Sequence, residues 1–231
     1  MCKFTIFFVI CDAKYFGKLH DFSFFSNFAL MDKKELRKLV RSMQNSHRET
    51  AMQGIHNTAG EDNAQDRKDA EGQERMPAEL EELAEYLKGW QTVLLYWSLD
   101  DEVCTHALVE RLYREGHRVL LPHVVSDTDM TLHPYAGQEQ MRSGAWGILE
   151  PVTPSVDIAT LDEGREAVAV VPGMAFDADG GRLGRGKGYY DRLLKLLPYI
   201  YKVGLCYDWQ VVNEVPMDEY DVRMNRVITV R

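Results

Sequence analysis

The amino-acid sequence predicts an α/β protein, a mostly parallel sheet flanked by helices. Three observations carry that expectation. Apolar runs of strand length (Thr92–Trp97, His117–Leu121, Ala167–Val171, Lys202–Tyr207 and Val227–Val230) are separated by segments with helical spacing. The run Ala167–Val171 is apolar throughout, as a strand covered on both faces requires. At 231 residues, 45% of them hydrophobic, the chain can build one sizeable core and is too apolar for wholesale disorder.

In chain order, residues 1–30 leave three readings open. Phe4–Ile10 follows Lys3 in the manner of a weak targeting sequence, but Asp12 cuts the run short and no small-residue cleavage pattern follows. Phe22, Phe24, Phe25 and Phe28 recur without a clean period and leave room for an extra packed element. The third reading, an upstream extension outside the native start, is favoured because a well-formed helix opens after Met31. Asp32 is its N-cap candidate, with Glu35 at capping-box spacing. Leu36, Leu39, Val40 and Met43 form its apolar stripe, and Lys33, Lys34, Arg37, Lys38 and Arg41 make the other surface basic.

The stretch from about 44 to 76 is polar and reads as a long loop or linker, with room for frayed helix, inside a single domain spanning 31–231. Pro77 suits the first turn of a helix through Lys88 that buries Leu80, Leu83, Ala84 and Leu87, with Gly89 placed to end it. Val103–Glu115 is the next helix, closed by Gly116. Thr131–Tyr135 has the alternation of a short strand, and Gly188–Leu197 is a helix closed by Pro198.

Composition excludes several function classes. No apolar stretch approaches the roughly 20 residues needed to cross a bilayer, so a membrane-spanning protein is not expected. The net charge of −9 disfavours a general nucleic-acid binder. Residues 61–85 carry −7 of that charge, so the remainder can still hold a basic, phosphate-binding site. Cys2, Cys11, Cys104 and Cys206 are scattered, without metal-ligand spacing, and read as reduced thiols of a cytoplasmic enzyme. His106, His117, His123 and His133 fit no catalytic arrangement and are assigned to surface or core.

In parallel sheets ligands sit beyond the carboxyl ends of the strands, which directs attention to the loop after Val171. There Gly184, Gly186 and Gly188 alternate with Arg185 and Lys187. Glycines let backbone N–H groups approach a ligand, and the two cations complete an anion trap suited to polyphosphate. Two familiar phosphate motifs fail here. Gly188 stands where a P-loop has Ser or Thr, and the glycine spacing is one residue short of the dinucleotide fingerprint. A flexible glycine turn with incidental charges remains the alternative on spacing alone.

The flanks are more specific. Val171-Pro172-Gly173, Ala175-Phe176-Asp177 and the run Arg182–Arg192 resemble the signature of 5-formyltetrahydrofolate cyclo-ligases. Lys33–Arg37 is similar to that family's amino-terminal K-x-x-L-R. Tyr96–Val103 resembles its strand–turn–helix segment, and Gly147–Pro151 its G-I-x-E-P turn. Val203–Tyr207, Gln210, Pro216, Asp221 and Val227–Thr229 follow its closing pattern. The resemblance covers the chain from about Met31 to the end.

It implies ATP- and Mg²⁺-dependent conversion of 5-formyltetrahydrofolate into 5,10-methenyltetrahydrofolate, on a fold like that of ribose-phosphate isomerases and CoA transferases. It places ATP on Lys33, Lys34, Glu35, Leu36 and Arg37, and on Arg182, Leu183, Gly184, Arg185, Gly186, Lys187, Gly188, Tyr189 and Tyr190. It makes Arg185 and Lys187 the catalytic cations and Asp191 and Asp221 the magnesium carboxylates. The folate substrate falls to Trp97, Glu102 and Trp146, with Arg185, Gly186, Lys187, Gly188 and Tyr189. A cytoplasmic enzyme of small molecules follows, a monomer or weak dimer without nucleic-acid or membrane partners.

Plainer roles stay open for individual residues: a solvated helix face for Lys33 and Arg37, packing for Trp97 and Trp146, first-turn positions for Glu102 and Asp191, a turn for Asp221. Asn225 stands where an Asp is frequent, and the hydrophilic stretch is longer than the family's usual segment. Two rival functions remain: another small-molecule phosphoryl-transfer enzyme, or a folate- or nucleotide-binding regulatory protein without turnover.

Overall fold

In this computed structural model the residues described are 31–57, 76–144, 147–161 and 166–231. The extension over 1–30, the later part of the hydrophilic stretch and Trp146 lie outside them. Residues 32–231 form one compact unit.

Helix α1, Lys33–Asn57, opens on a complete capping box. Asp32 Oδ1 accepts the N–H groups of Lys34 and Glu35 at 2.8 Å, and Glu35 Oε2 accepts that of Asp32 at 3.1 Å. The helix then continues through 44–57, where the scarcity of apolar residues predicts a loop. No Pro or Gly interrupts residues 44–53, and good helix formers such as Gln44, Arg48, Glu49 and Met52 fill the turns. Tertiary contact anchors the extra turns on one side, since the His47 ring stacks on Trp209 with centroids 5.0 Å apart.

Helix α2 is Ala78–Leu87 and α3 is His106–Arg114. Strand β1 is Thr92–Leu94, β2 Arg118–Val124 and β3 Met130–Pro134. Two short hairpin strands follow, β4 Met141–Ser143 and β5 Leu149–Pro151. Strand β6 is Ala167–Pro172, and β7 Ala175–Phe176 pairs with β8 Arg182–Leu183. Helix α4, Tyr189–Lys195, precedes β9 Tyr201–Tyr207 and β10 Arg226–Val230.

The main sheet has the order β10-β9-β6-β1-β2-β3. Every pairing in it is parallel except β2 with β3, which is antiparallel. The mostly parallel sheet expected from the sequence is therefore present.

Period-two alternation divides each central strand between two cores. On one face Val93, Val119, Leu121, Val168, Val170, Val203 and Leu205 pack with Leu80, Leu83, Ala84 and Leu87 of α2 and Leu108, Val109 and Leu112 of α3. On the other, Leu94, Leu120, Ala167, Ala169, Val171 and Cys206 pack with Leu193, Leu194 and Leu197 around α4. Each fully buried Leu contributes about 1.5–3 kcal/mol of transfer free energy. No helix among the described residues is long and apolar enough to cross a membrane.

Candidate active site

The loops leaving β1 and β6 rise from neighbouring strands and meet above the sheet. Between them and α1 lies a cleft of about 490 Å³ whose walls include Lys33, Arg37, Glu102, Arg182, the loop 184–188 and Asp191. The glycine-rich loop is the floor that its sequence suggests. Gly186 at φ +105° and Gly188 at φ +68° take conformations that a side chain would strain. Gly184 offers its carbonyl to Arg37 Nε at 2.8 Å, which fastens α1 to the loop.

Helical geometry sorts the amino-terminal motif. At about 100° per residue, Lys33 and Arg37 share one face of α1. They line the cleft, whereas Lys34, Glu35 and Leu36 do not. Glu35 is occupied by the capping box, and Leu36 is 1% exposed within the protein. Of the five residues that the resemblance gives to ATP, the structure brings Lys33 and Arg37 to the cleft.

Each cation of the cleft meets a carboxylate or carbonyl. Lys33 Nζ donates to Asp218 at 2.5 Å and also to Asp221. Burial alone would lower this ammonium, but the two carboxylates outweigh it and hold its pKa above the usual value. Arg182, whose side chain is 3% exposed, pairs with Asp191 at 2.8 Å and donates to the Pro172 carbonyl at 3.2 Å. Its Nε has no partner among the described residues. Arg185 Nη2 reaches Asp101 at 2.5 Å and Glu102 at 3.2 Å. Among the described residues Lys187 makes only a loose, exposed pair with Asp127 at 3.3 Å.

Asp191 and Asp221 thus line one cleft, each already engaged by a cation. Among the described residues no group of three His, Cys, Asp or Glu side chains is assembled to hold a metal ion. The donors nevertheless suit magnesium, which ordinarily binds through one or two carboxylates with substrate phosphates completing its shell.

Trp97 and Glu102 sit on the loop after β1 but face different cavities. Glu102 lines the cleft just described, where Oε2 accepts the Leu99 N–H at 3.0 Å. Trp97 lines a second cavity, also about 490 Å³, together with Gln44, Arg48, Asp100, Ile148 and Leu149. Its ring is held by stacking on His106 at 4.1 Å and on Tyr135 at 6.0 Å. The hairpin β4–β5 carrying Ile148 and Leu149 is tied to β2 by buried Glu150, whose Oε1 accepts the Val124 N–H at 3.3 Å.

Several site residues have no individual signal in the sequence, even where they fall within a quoted motif. Asp101 and Asp218 look like ordinary polar loop residues until Arg185 and Lys33 are found on them. The segment 126–128 supports the glycine loop from the side: Tyr189 Oη donates to the Ser126 carbonyl at 2.9 Å and Arg192 Nε to the Thr128 carbonyl at 2.6 Å. Asp177 is 4% exposed and accepts three backbone N–H groups that shape the turn before Arg182. Asn225 proves structural, pairing with the Lys202 backbone at the start of β9.

Comparison with known proteins gives the chain its relatives. Residues 31–230 match the model of the 5-formyltetrahydrofolate cyclo-ligase family. A 5-formyltetrahydrofolate cyclo-ligase of Escherichia coli is 36% identical over 143 residues, covering 60% of this chain and 77% of that protein. The enzyme of the same name from Mus musculus is 29% identical over 147 residues, 59% of this chain and 71% of its own. Among solved structures, a 5,10-methenyltetrahydrofolate synthetase of Aquifex aeolicus superposes with a TM-score of 0.60 at 30% identity, covering 86% of this chain and 90% of that one.

Proposed function

The chain belongs to the 5-formyltetrahydrofolate cyclo-ligase family, and on that premise we propose how its own residues carry the reaction. The reaction is the ATP-dependent closure of 5-formyltetrahydrofolate to 5,10-methenyltetrahydrofolate. One observation carries the assignment of residues. Arg185 of the glycine loop touches Glu102 of the loop after β1, so the element suited to phosphate abuts the carboxylate suited to pterin N–H groups.

A formyl oxygen on nitrogen is a poor leaving group until it is phosphorylated. The formyl oxygen therefore takes the γ-phosphoryl group as the bond to ADP breaks. The N10 lone pair then attacks the formyl carbon, the N10 proton leaves, and phosphate departs as the ring closes. The protein's part is positioning and charge stabilisation.

Lys33, Arg37 and Arg182 bind the polyphosphate, and Arg185 and Lys187 oppose the charge that builds on the transferring group. Binding exchanges partners: Lys33 leaves Asp218 and Asp221, and Arg182 leaves Asp191, each for phosphate. The released Asp191 and Asp221 are the carboxylates that would hold magnesium, which when bound neutralises phosphate charge. Glu102 accepts hydrogen bonds from the pterin, and Trp97 supplies a flat wall farther along the folate. The enzyme acts in the cytoplasm on small molecules.

The test is absorbance at the methenyl-folate band. A rise that needs protein, 5-formyltetrahydrofolate, ATP and magnesium together is expected, and Lys187→Ala should slow it by about 10²–10³. Undiminished turnover in Lys187→Ala removes the loop from the chemistry. No rise with the wild-type chain overturns the reading altogether.

A further inference from the structure

We propose that the second cavity is the seat of the folate's p-aminobenzoyl-glutamate end, and that Arg48 is the residue that recognises its carboxylate. The proposal rests on the functional reading above and adds to it a subsite and a determinant of substrate choice.

The wall is of the required kind. The Trp97 ring stacks on His106 and Tyr135, and Ile148 and Leu149 are the apolar residues that line the cavity with it. An aromatic amide fits such a surface by stacking. Polar groups lie at the α1 side, where Gln44 and Arg48 are one turn apart and on one helix face. Gln44 Nε2 lies 3.5 Å from the Asp101 carbonyl, which sets α1 against the loop after β1.

Arg48 differs from the cations of the first cleft. Lys33, Arg182, Arg185 and Lys187 are paired with carboxylates, and Arg37 with the Gly184 backbone carbonyl. Arg48 makes no hydrogen bond or ion pair with any described residue, and it lines the cavity. A planar guanidinium in that position matches a carboxylate in two-pronged fashion.

Spacing agrees as well. Arg48 lies eleven residues beyond Arg37 on the same helix, a rise of about 16 Å. A folate whose formyl group meets the phosphate beside Arg37 places its first carboxylate about 10 Å past N10 when extended, by ordinary bond lengths. The reach of two arginine side chains spans the remainder. Asp101, the other acid between the cavities, is already neutralised by Arg185. Asp100 also lines the cavity and opposes an anionic tail, so its removal should act in the opposite sense to removal of Arg48.

The experiment is steady-state turnover of the full chain with monoglutamyl and pentaglutamyl 5-formyltetrahydrofolate, for the wild type, Arg48→Ala, Arg48→Glu, Arg48→Lys and Asp100→Asn. Arg48→Ala should raise KM for the monoglutamyl folate by about tenfold, the loss of one charge-assisted contact. Its kcat and its KM for ATP should stay within twofold. Arg48→Glu should cost more, most of all with the pentaglutamyl substrate, while Arg48→Lys restores part of the affinity and Asp100→Asn lowers KM. Free p-aminobenzoyl-glutamate should inhibit the wild type competitively against folate and inhibit Arg48→Glu far less. A folate KM within twofold of wild type in both Arg48→Ala and Arg48→Glu overturns the proposal. So does a fall in kcat with KM unchanged. A wild type without turnover would instead refute the functional reading, and the two failures are distinguishable.

Discussion

Asp177→Ala removes a carboxylate on which a turn is built. Oδ1 accepts the Gly181 N–H at 2.7 Å and the Asp179 N–H at 3.0 Å, and Oδ2 accepts the Val215 N–H at 2.8 Å. Asp179 is exposed, so water can replace the carboxylate there. The donors on buried Gly181 and Val215 lose a charged acceptor, and an orphaned buried donor costs about 1–3 kcal/mol, more when the lost partner is ionised. The expected loss is about 4 kcal/mol, a large share of a domain's usual 5–15 kcal/mol. For a chain of this size that corresponds to a fall of roughly 8–16 °C in Tm. Asp177→Asn keeps one oxygen for two of the donors but risks turning an amide N–H toward Val215, so about half the loss is expected. Urea unfolding followed by tryptophan fluorescence, with a thermal melt alongside, measures both variants. An Asp177→Ala protein within 1 kcal/mol of wild type at unchanged m would show that the turn does not depend on its carboxylate.

Three further outcomes are expected. Gly204→Ala drives a methyl into the fully buried Phe176 ring, with the ideal Cβ 2.4 Å from Cε1, and should cost about 1–3 kcal/mol in the same unfolding assay. Gly180→Ala combines φ +80° with a Cβ 2.2 Å from the Met224 carbonyl oxygen, which is backbone and cannot swing aside. It should destabilise by more than about 2 kcal/mol and lower expression of folded protein. A hydrogen bond from His106 lowers the Cys104 thiol to about 7, while burial raises Cys206 to about 12. Iodoacetamide labelling of the Cys104 peptide, read by mass spectrometry, should therefore rise with pH to half its maximum near 7 and shift upward in His106→Ala, with Cys206 inert throughout.

Much of this was legible in the order of residues, and what was not has physical causes. Ala167–Val171 declared a strand buried on both sides, and β6 lies at the centre of the sheet. Asp32 and Glu35 announced a capping box that the helix start realises. Periodicity could not foresee α1 beyond Met43, because its later turns have few apolar residues and owe their place to contacts such as His47 on Trp209. The two-residue strands β7 and β8 are too short for any pattern to show. The glycine loop is legible because glycine and cation alternate locally. The carboxylates on Arg185 and Lys33 come from 84 and from 185 and 188 residues away, a separation across which sequence spacing says nothing. Trp97 and Glu102 read as a pair in sequence, yet a turn between them sends the two side chains into separate cavities.

Strands β1 and β6 are hydrogen-bonded neighbours, with Leu94 beside Ala169. The roots of the two cleft-lining loops are therefore fixed one strand spacing apart, about 4.8 Å. Lengthening or trimming either loop alters what it touches but leaves its point of departure in place. A slip of one residue between these strands would move one root by about 3.3 Å and turn every core side chain of the strand to the opposite face. On the assignment proposed above, the gauge of the reaction, the interval between the phosphoryl donor and the group that accepts it, would thus be set in the sheet. Loop variation would then broaden or narrow the choice of substrate without disturbing that interval.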